Sequence, residues 1–182
     1  GNLKAVTSGN NSRFWSSFAY PKTGKWYTEF SILEGDLSIS FAVTPQQANT
    51  QYSNISDGIA GFLYYAPNGS SNKIMAASGT ITAPTGWEGT KIVNGVATYG
   101  SVGEVIRVTV DQDNNTITIT NHSGDFTFTT PSEISGENFH IGYSVTTTWP
   151  AATYIWNFGQ NPTFSGTKSA GTYTDANGKG LF

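Results

Sequence analysis

The chain has 182 residues, no cysteine, and 9 Lys plus Arg against 12 Asp plus Glu, a formal net charge of −3 at pH 7. That length is one domain, large enough to bury a core without metal or disulfide support, so residues 1–182 are expected to fold as a single unit. The missing thiol excludes a disulfide framework, Cys-ligated zinc and cysteine chemistry, and the acidic balance disfavours a phosphate-tracking nucleic-acid binder.

Charged residues make up only 12% of the chain, about half the usual share of roughly 25%. Polarity comes instead from 25 Thr, 19 Ser and 15 Asn beside 21 Gly. Aromatic residues reach 14%, which a disordered Ser/Thr-rich segment would not carry. No apolar run approaches the roughly 18 residues of a membrane helix, so no membrane partner is expected. Gly1–Tyr20 lacks a basic-then-apolar leader pattern, and the Gly-Asn start reads as an expression scar or an excised domain. Five Asn-x-Ser/Thr sequons (Asn10, Asn54, Asn68, Asn114, Asn121) are what so Asn- and Thr-rich a chain produces by chance.

In chain order, the pattern is period-2 alternation with almost no helix signal. Trp26, Thr28, Phe30 and Ile32 alternate with Tyr27, Glu29 and Ser31. Leu37, Ile39, Phe41 and Val43 alternate with Ser38, Ser40 and Ala42, and Gly35-Asp36 between these runs reads as a tight hairpin turn. Pro45–Tyr52 could form a single helical turn at most. Gly58–Ala66 is apolar on both faces, which predicts a central strand covered on both sides. Ile106, Val108 and Val110 are followed by Asp111-Gln112-Asp113-Asn114-Asn115 and then by Ile117 and Ile119, a hairpin whose turn residues bond their own backbone. Phe126 and Phe128, then Ile141, Tyr143 and Val145, then Tyr154, Trp156 and Phe158 complete the series. Strands of this length joined by polar turns predict an all-β, two-sheet antiparallel β-sandwich. Thr suits its solvated faces, being β-branched yet able to bond water.

Three segments also resemble a known family. Gly24-Lys25-Trp26-Tyr27-Thr28-Glu29-Phe30 is similar to the "GKWYWEV" strand that opens SPRY-type domains. Residues 103–119, from Gly103-Glu104-Val105-Ile106 to Thr116-Ile117-Thr118-Ile119, resemble the central hairpin of that family. Trp156-Asn157-Phe158-Gly159-Gln160-Asn161-Pro162-Thr163-Phe164 resembles the late "FNFGQKPF" strand and turn. The order is that of the family and covers roughly residues 24–165. The last motif is closest to SPRY-like domains of phage tail, fibre and other virion proteins. The resemblance implies a concanavalin-like jelly roll that recognises protein or glycan through edge loops, without catalysis.

Sandwiches of this class also host glycoside hydrolases, so the carboxylates matter. A retaining glycosidase places two carboxyls about 5–5.5 Å apart, and residues two apart on a strand share a face. Glu34-Gly35-Asp36 has the spacing but reads as a turn. Glu29 has no carboxylate two residues away and reads as a solvent-facing side chain beside a cross-strand Lys. No catalytic pair emerges. Asp111, Asp113 and Asn115 alternate like calcium-loop ligands, but Thr116 and His122 stand where an EF-hand needs Gly and Glu. Turn formation accounts for these residues, with a lone structural calcium as the rival. His122 and His140 are far apart and read as a turn and a strand residue, so neither a zinc site nor a His-based triad is expected, and no cofactor is implied.

Aromatic residues divide into two groups. Trp26, Trp156, Phe30, Phe41 and Phe158 follow the alternation and read as core. Trp149 and Trp87 break it and lie in loop-like segments; Tyr65 runs into Pro67-Asn68-Gly69. Either they cap the core, or Trp149, Trp87 and Tyr65 form a recognition patch with Glu88, Asn68 and Asn94 as polar partners, since sugar rings stack on aromatic faces. The expected function is a non-enzymatic binding domain on a phage or viral particle surface, whose partners are host-surface glycan or protein and other virion proteins. The rivals are a structural or homo-oligomer-forming decoration module and a glycosidase of the same fold.

Overall fold

The computed structural model describes residues 3–6, 13–16, 19–34, 38–43, 59–64, 73–76, 79–82, 84, 90–93, 96–99, 105–121, 123–144 and 153–157. Fourteen strands run along them: β1 (Leu3–Val6), β2 (Arg13–Trp15), β3 (Lys25–Glu34), β4 (Ser38–Ala42), β5 (Ile59–Tyr64), β6 (Lys73–Ala76), β7 (Gly79–Thr82), β8 (Thr90–Val93), β9 (Val96–Tyr99), β10 (Val105–Asp111), β11 (Thr116–Asn121), β12 (Gly124–Thr129), β13 (His140–Ser144) and β14 (Thr153–Asn157). They form two six-stranded sheets, β1-β14-β3-β10-β11-β12 and β2-β13-β4-β5-β6-β7, plus the separate hairpin β8-β9. All the strand pairs are antiparallel. The fold is therefore the all-β, two-sheet sandwich that the alternation predicts.

The alternation translates directly into burial. Along β10, Ile106, Val108 and Val110 are fully buried while Val105, Arg107, Thr109 and Asp111 are half-buried; β11 repeats this with Ile117 and Ile119. Phe126 and Phe128 of β12 extend the same inner layer, with rings 5.2 Å apart. Phe30 and Trp156 lie at the centre, aligned across β3 and β14 with ring centroids 5.0 Å apart. From the second sheet, Phe41 meets Phe139 edge-on at 6.0 Å, and Phe139 in turn packs on Tyr20 at 5.7 Å. Offset and edge contacts of this kind add to the area that these rings bury.

Two hydroxyls are also drawn inside. Tyr20 and Thr28 are buried, and burial raises the Tyr20 phenol above its ordinary pKa, with a smaller opposing contribution from the Thr28 hydroxyl. On the opposite face of the first sheet the threonines stand outward. Thr118 and Thr127 share a hydroxyl–hydroxyl bond of 2.8 Å across β11 and β12, and Thr120 donates to Asp125 at 2.6 Å.

Two expectations are corrected. β3 and β4 do not form a hairpin: β3 pairs with β10 and β14 in the first sheet, and β4 pairs with β13 and β5 in the second. The chain changes sheets there, because a short polar connection can bridge layers about 10 Å apart as readily as it can reverse a strand. Trp26 is half-buried, not core; it lies at the start of β3, and its indole nitrogen donates to the Thr23 carbonyl at 2.8 Å. β5 is an interior strand of its sheet, as its apolar character predicts.

Candidate functional site

The six residues of the expected recognition patch, Trp149, Trp87, Tyr65, Asn68, Glu88 and Asn94, lie outside the described residues, as do Phe158, His122, Gly35 and Asp36. The described carboxylates, the hairpin turn and one edge cleft supply the chemistry.

The 111–115 turn is held by its own side chains. The Asp111 carboxylate accepts the Asn114 backbone N–H at 3.0 Å and its amide at 2.9 Å, and pairs with Lys25 at 2.8 Å. Asp113 accepts the Gly24 N–H at 2.8 Å, and Gln112 N–H donates to the Gly24 carbonyl at 3.0 Å. Gly24 has φ of +86°, which only glycine adopts freely, and a Cβ there would lie 3.6 Å from the Trp26 indole nitrogen. The turn-forming role of these acids is what the structure records, and no group of three metal-ligating side chains occurs among the described residues.

Lys25, followed by Asn114, lowers the Asp111 carboxyl from 3.8 to about 2. A carboxylate with a lowered folded-state pKa contributes stability that is present above its ordinary value and is lost as pH falls through the folded one. The stability difference between the wild type and Asp111→Asn is therefore expected to hold constant at neutral pH, shrink below 3.8 and vanish near pH 2. Thermal melts of both proteins across acid pH measure this. Added salt should weaken the effect, because the pair faces solvent.

Glu29 departs from its expected solvent-facing role. It is 2% exposed, and its cross-strand neighbours are Arg107 on β10 and Asn157 on β14, with no Lys opposite. Its carboxylate accepts a hydrogen bond from the Tyr27 hydroxyl, two residues back on the same face. Alternation assigns Glu29 correctly to the face away from Phe30; that this face is covered at its centre is a tertiary fact that alternation cannot express. His140 begins β13, as expected for a strand residue, and its Nδ1 lies 2.8 Å from the Ser16 carbonyl oxygen. Asn121 is 4% exposed and its Oδ1 accepts the Ser123 N–H at 2.8 Å, so that sequon is committed to the fold.

The cleft lies where the edge strands of the two sheets approach each other. Ile81 of β7 and Pro131, after β12, supply its apolar surface; Asn115, Thr129, Thr130, Ser132 and Ser135 supply its polar one, around a volume of about 550 Å³. Pro131 fixes its own φ and opens a tight turn, in which Ile134 and Ser135 N–H groups both donate to the Pro131 carbonyl at 3.0 Å. Ile134 is fully buried and anchors that turn to the core. Asn115 takes the left-handed conformation, φ 55°, that Asn tolerates in turns. Its carbonyl accepts the Thr130 N–H at 3.0 Å and its Oδ1 accepts the Ser135 hydroxyl at 3.0 Å. Thr130 is 3% exposed, and its buried hydroxyl has no hydrogen-bond partner among the described residues. Sequence reasoning passes over this cleft: Ser and Thr are too common here to stand out, and nothing in the sequence links Ile81 to a turn fifty residues later.

The two-sheet antiparallel sandwich is similar in fold to SPRY domains and to a plant lectin. The SPRY domain of human HERC1 shares it with a TM-score of 0.54 at 11% identity, over 87% of this chain and 90% of that one. Lectin I-B4 from Griffonia simplicifolia, in its metal-free form, gives 0.51 at 13% identity over 86% and 87% of the two chains. The stonustoxin structure gives 0.50 at 10% identity, over 85% of this chain and 24% of that one. At these identities the likeness is one of fold. No protein-family model and no curated protein matches the chain.

Proposed function

We propose that this chain is a non-catalytic recognition domain that binds a host-surface glycan or protein through the loops and edges of its sandwich, and that it is carried on the surface of a phage or virus particle. The observation that supports recognition is the edge cleft, whose described lining is hydroxyl, amide and aliphatic with no charge. Consistent with this, Glu29, Asp111, Asp113, Asp125 and Glu133, among the described acids, bond to Tyr27, to Lys25 and Asn114, to Gly24, to Thr120 and to Ser132, bonds that hold strands and turns together. The particle context rests on the sequence resemblance of the Trp156–Phe164 segment.

Cell-binding and glycan-array measurements with Trp149→Ala and Trp87→Ala test the loop patch. Each variant is expected to melt near the wild-type temperature and to lose at least tenfold in binding, about 1.4 kcal/mol. Folded variants that bind like the wild type would remove those residues from the site. Turnover on a polysaccharide panel by the wild type would replace this reading with the glycosidase alternative.

A further inference from the structure

We infer that the cleft between Ile81 and the 130–135 turn is a subsite for one neutral saccharide unit of a larger glycan. The inference rests on the recognition reading above and gives it a ligand class at a place distinct from Trp149 and Trp87 in sequence.

Four features carry it. The volume of about 550 Å³ falls inside the range of roughly 300–1,000 Å³ that small-molecule sites occupy. Its described lining holds no Lys, Arg, Asp or Glu, so nothing there favours a sulfate, phosphate or sialic acid carboxylate over a neutral ring. Half-buried Ile81 gives aliphatic surface against which the C–H face of a pyranose can rest, and Thr129 and Ser132 stand exposed, the Ser132 hydroxyl donating to the neighbouring Glu133 carboxylate at 3.2 Å and keeping its lone pairs for a ligand hydroxyl. Finally, the wall contains unmet hydrogen-bonding capacity. The Asn115 carboxamide oxygen is occupied by Ser135, which leaves its amide nitrogen as a donor, and the Thr130 hydroxyl is buried without a partner among the described residues. A buried hydroxyl left unpaired is costly; this one is closed off from solvent, so a small rotation of the Thr130 side chain is what brings it to a ligand hydroxyl. A polyol matches that arrangement: it donates and accepts at every hydroxyl and brings no charge to desolvate.

The arrangement is built rather than incidental to a floppy loop. Ile134 roots the turn in the core, and Asn115 ties it to the β10-β11 hairpin through both its main chain and its side chain. The hydroxyls on this turn are thus fixed relative to β12 before any ligand arrives, which lowers the ordering cost of binding.

The test uses the full chain on an array of neutral and anionic glycans, with saturation-transfer NMR on the methyl glycosides of glucose, galactose, mannose and N-acetylglucosamine as the solution readout. Thr130→Val keeps the side-chain shape and removes the hydroxyl; Ser132→Trp fills the cleft from an exposed position. Thr130→Val is expected to melt at or above the wild-type temperature and to bind neutral glycans at least fivefold more weakly. Ser132→Trp is expected to melt like the wild type and abolish that binding. Wild-type affinity in both folded variants would overturn the subsite. If Trp149→Ala then abolished binding, the recognition reading would stand without it. Binding confined to anionic glycans, or no glycan binding at all, would also overturn the subsite; attachment to cells lacking surface glycans would in that case preserve the recognition reading with a protein ligand.

Discussion

Trp156→Ala is expected to destabilise the domain by about 3–5 kcal/mol, the range for deleting a buried large aromatic ring. Trp156 is 1% exposed and is the largest fully buried side chain among the described residues. It sits on β14 opposite Phe30 of β3, with ring centroids 5.0 Å apart, and opposite Leu3 of β1 in register. Its removal forfeits the transfer free energy of the indole and leaves a cavity under Phe30, which cannot collapse without moving β3. Against a typical total of about 5–15 kcal/mol, the variant should unfold at far lower denaturant or fail to fold. Urea titration followed by tryptophan fluorescence and far-UV circular dichroism measures this. A loss below about 1 kcal/mol would mean that the inner layer repacks around the gap, contrary to close packing.

Tyr27→Phe is expected to cost about 2 kcal/mol, within the range of roughly 1.5–3 for a hydrogen bond to a charged group. The substitution keeps the ring and removes only the hydroxyl that donates to Glu29. Glu29 is 2% exposed, so water cannot readily replace the lost donor. The double mutant Tyr27→Phe/Glu29→Gln separates the contributions, because the neutral amide needs less compensation than the carboxylate. The Tyr27→Phe penalty should fall by at least half in the Glu29→Gln background, as measured by denaturant midpoints at constant slope. Equal penalties in both backgrounds would show that the bond adds nothing specific to the charge.

The contrast between these two positions shows where the sequence is informative. Phe30 and Trp156 are legible as core because two residues per period is a property of the strand itself, and the burial of β10, β11 and β12 follows it residue by residue. Glu29 occupies the correct face by the same rule, but whether that face meets water depends on distant chain. The change of sheet between β3 and β4 is hidden for a related reason: alternation gives each strand its faces and not its neighbours. The short strands β1, β2 and β6 to β9 were beyond reach because three or four residues hold at most two periods. Local turn chemistry read well, as Asp111, Asp113 and Asn115 show. The cleft did not, since it is made by two sheet edges that are remote in sequence and by residue types that occur everywhere in the chain.

The order β1-β14-β3-β10-β11-β12 also dictates a timetable. β10, β11 and β12 pair in succession, with Val110 opposite Ile117 and Ile119 opposite Phe126, so this meander needs only short loops to close. β3 instead waits for β10 and for β14, and β1 waits for β14, with Leu3 opposite Trp156. Closing such long loops carries an entropic cost before any contact compensates it. On a ribosome, β1 and β3 therefore emerge before their sheet partners, and the β1-β14-β3 edge of the first sheet stays open until residue 157 is made. The β10-β11-β12 meander has the shortest loops to close, and the strand that carries Trp156 can complete its pairing with β3 and β1 only once residue 157 is made.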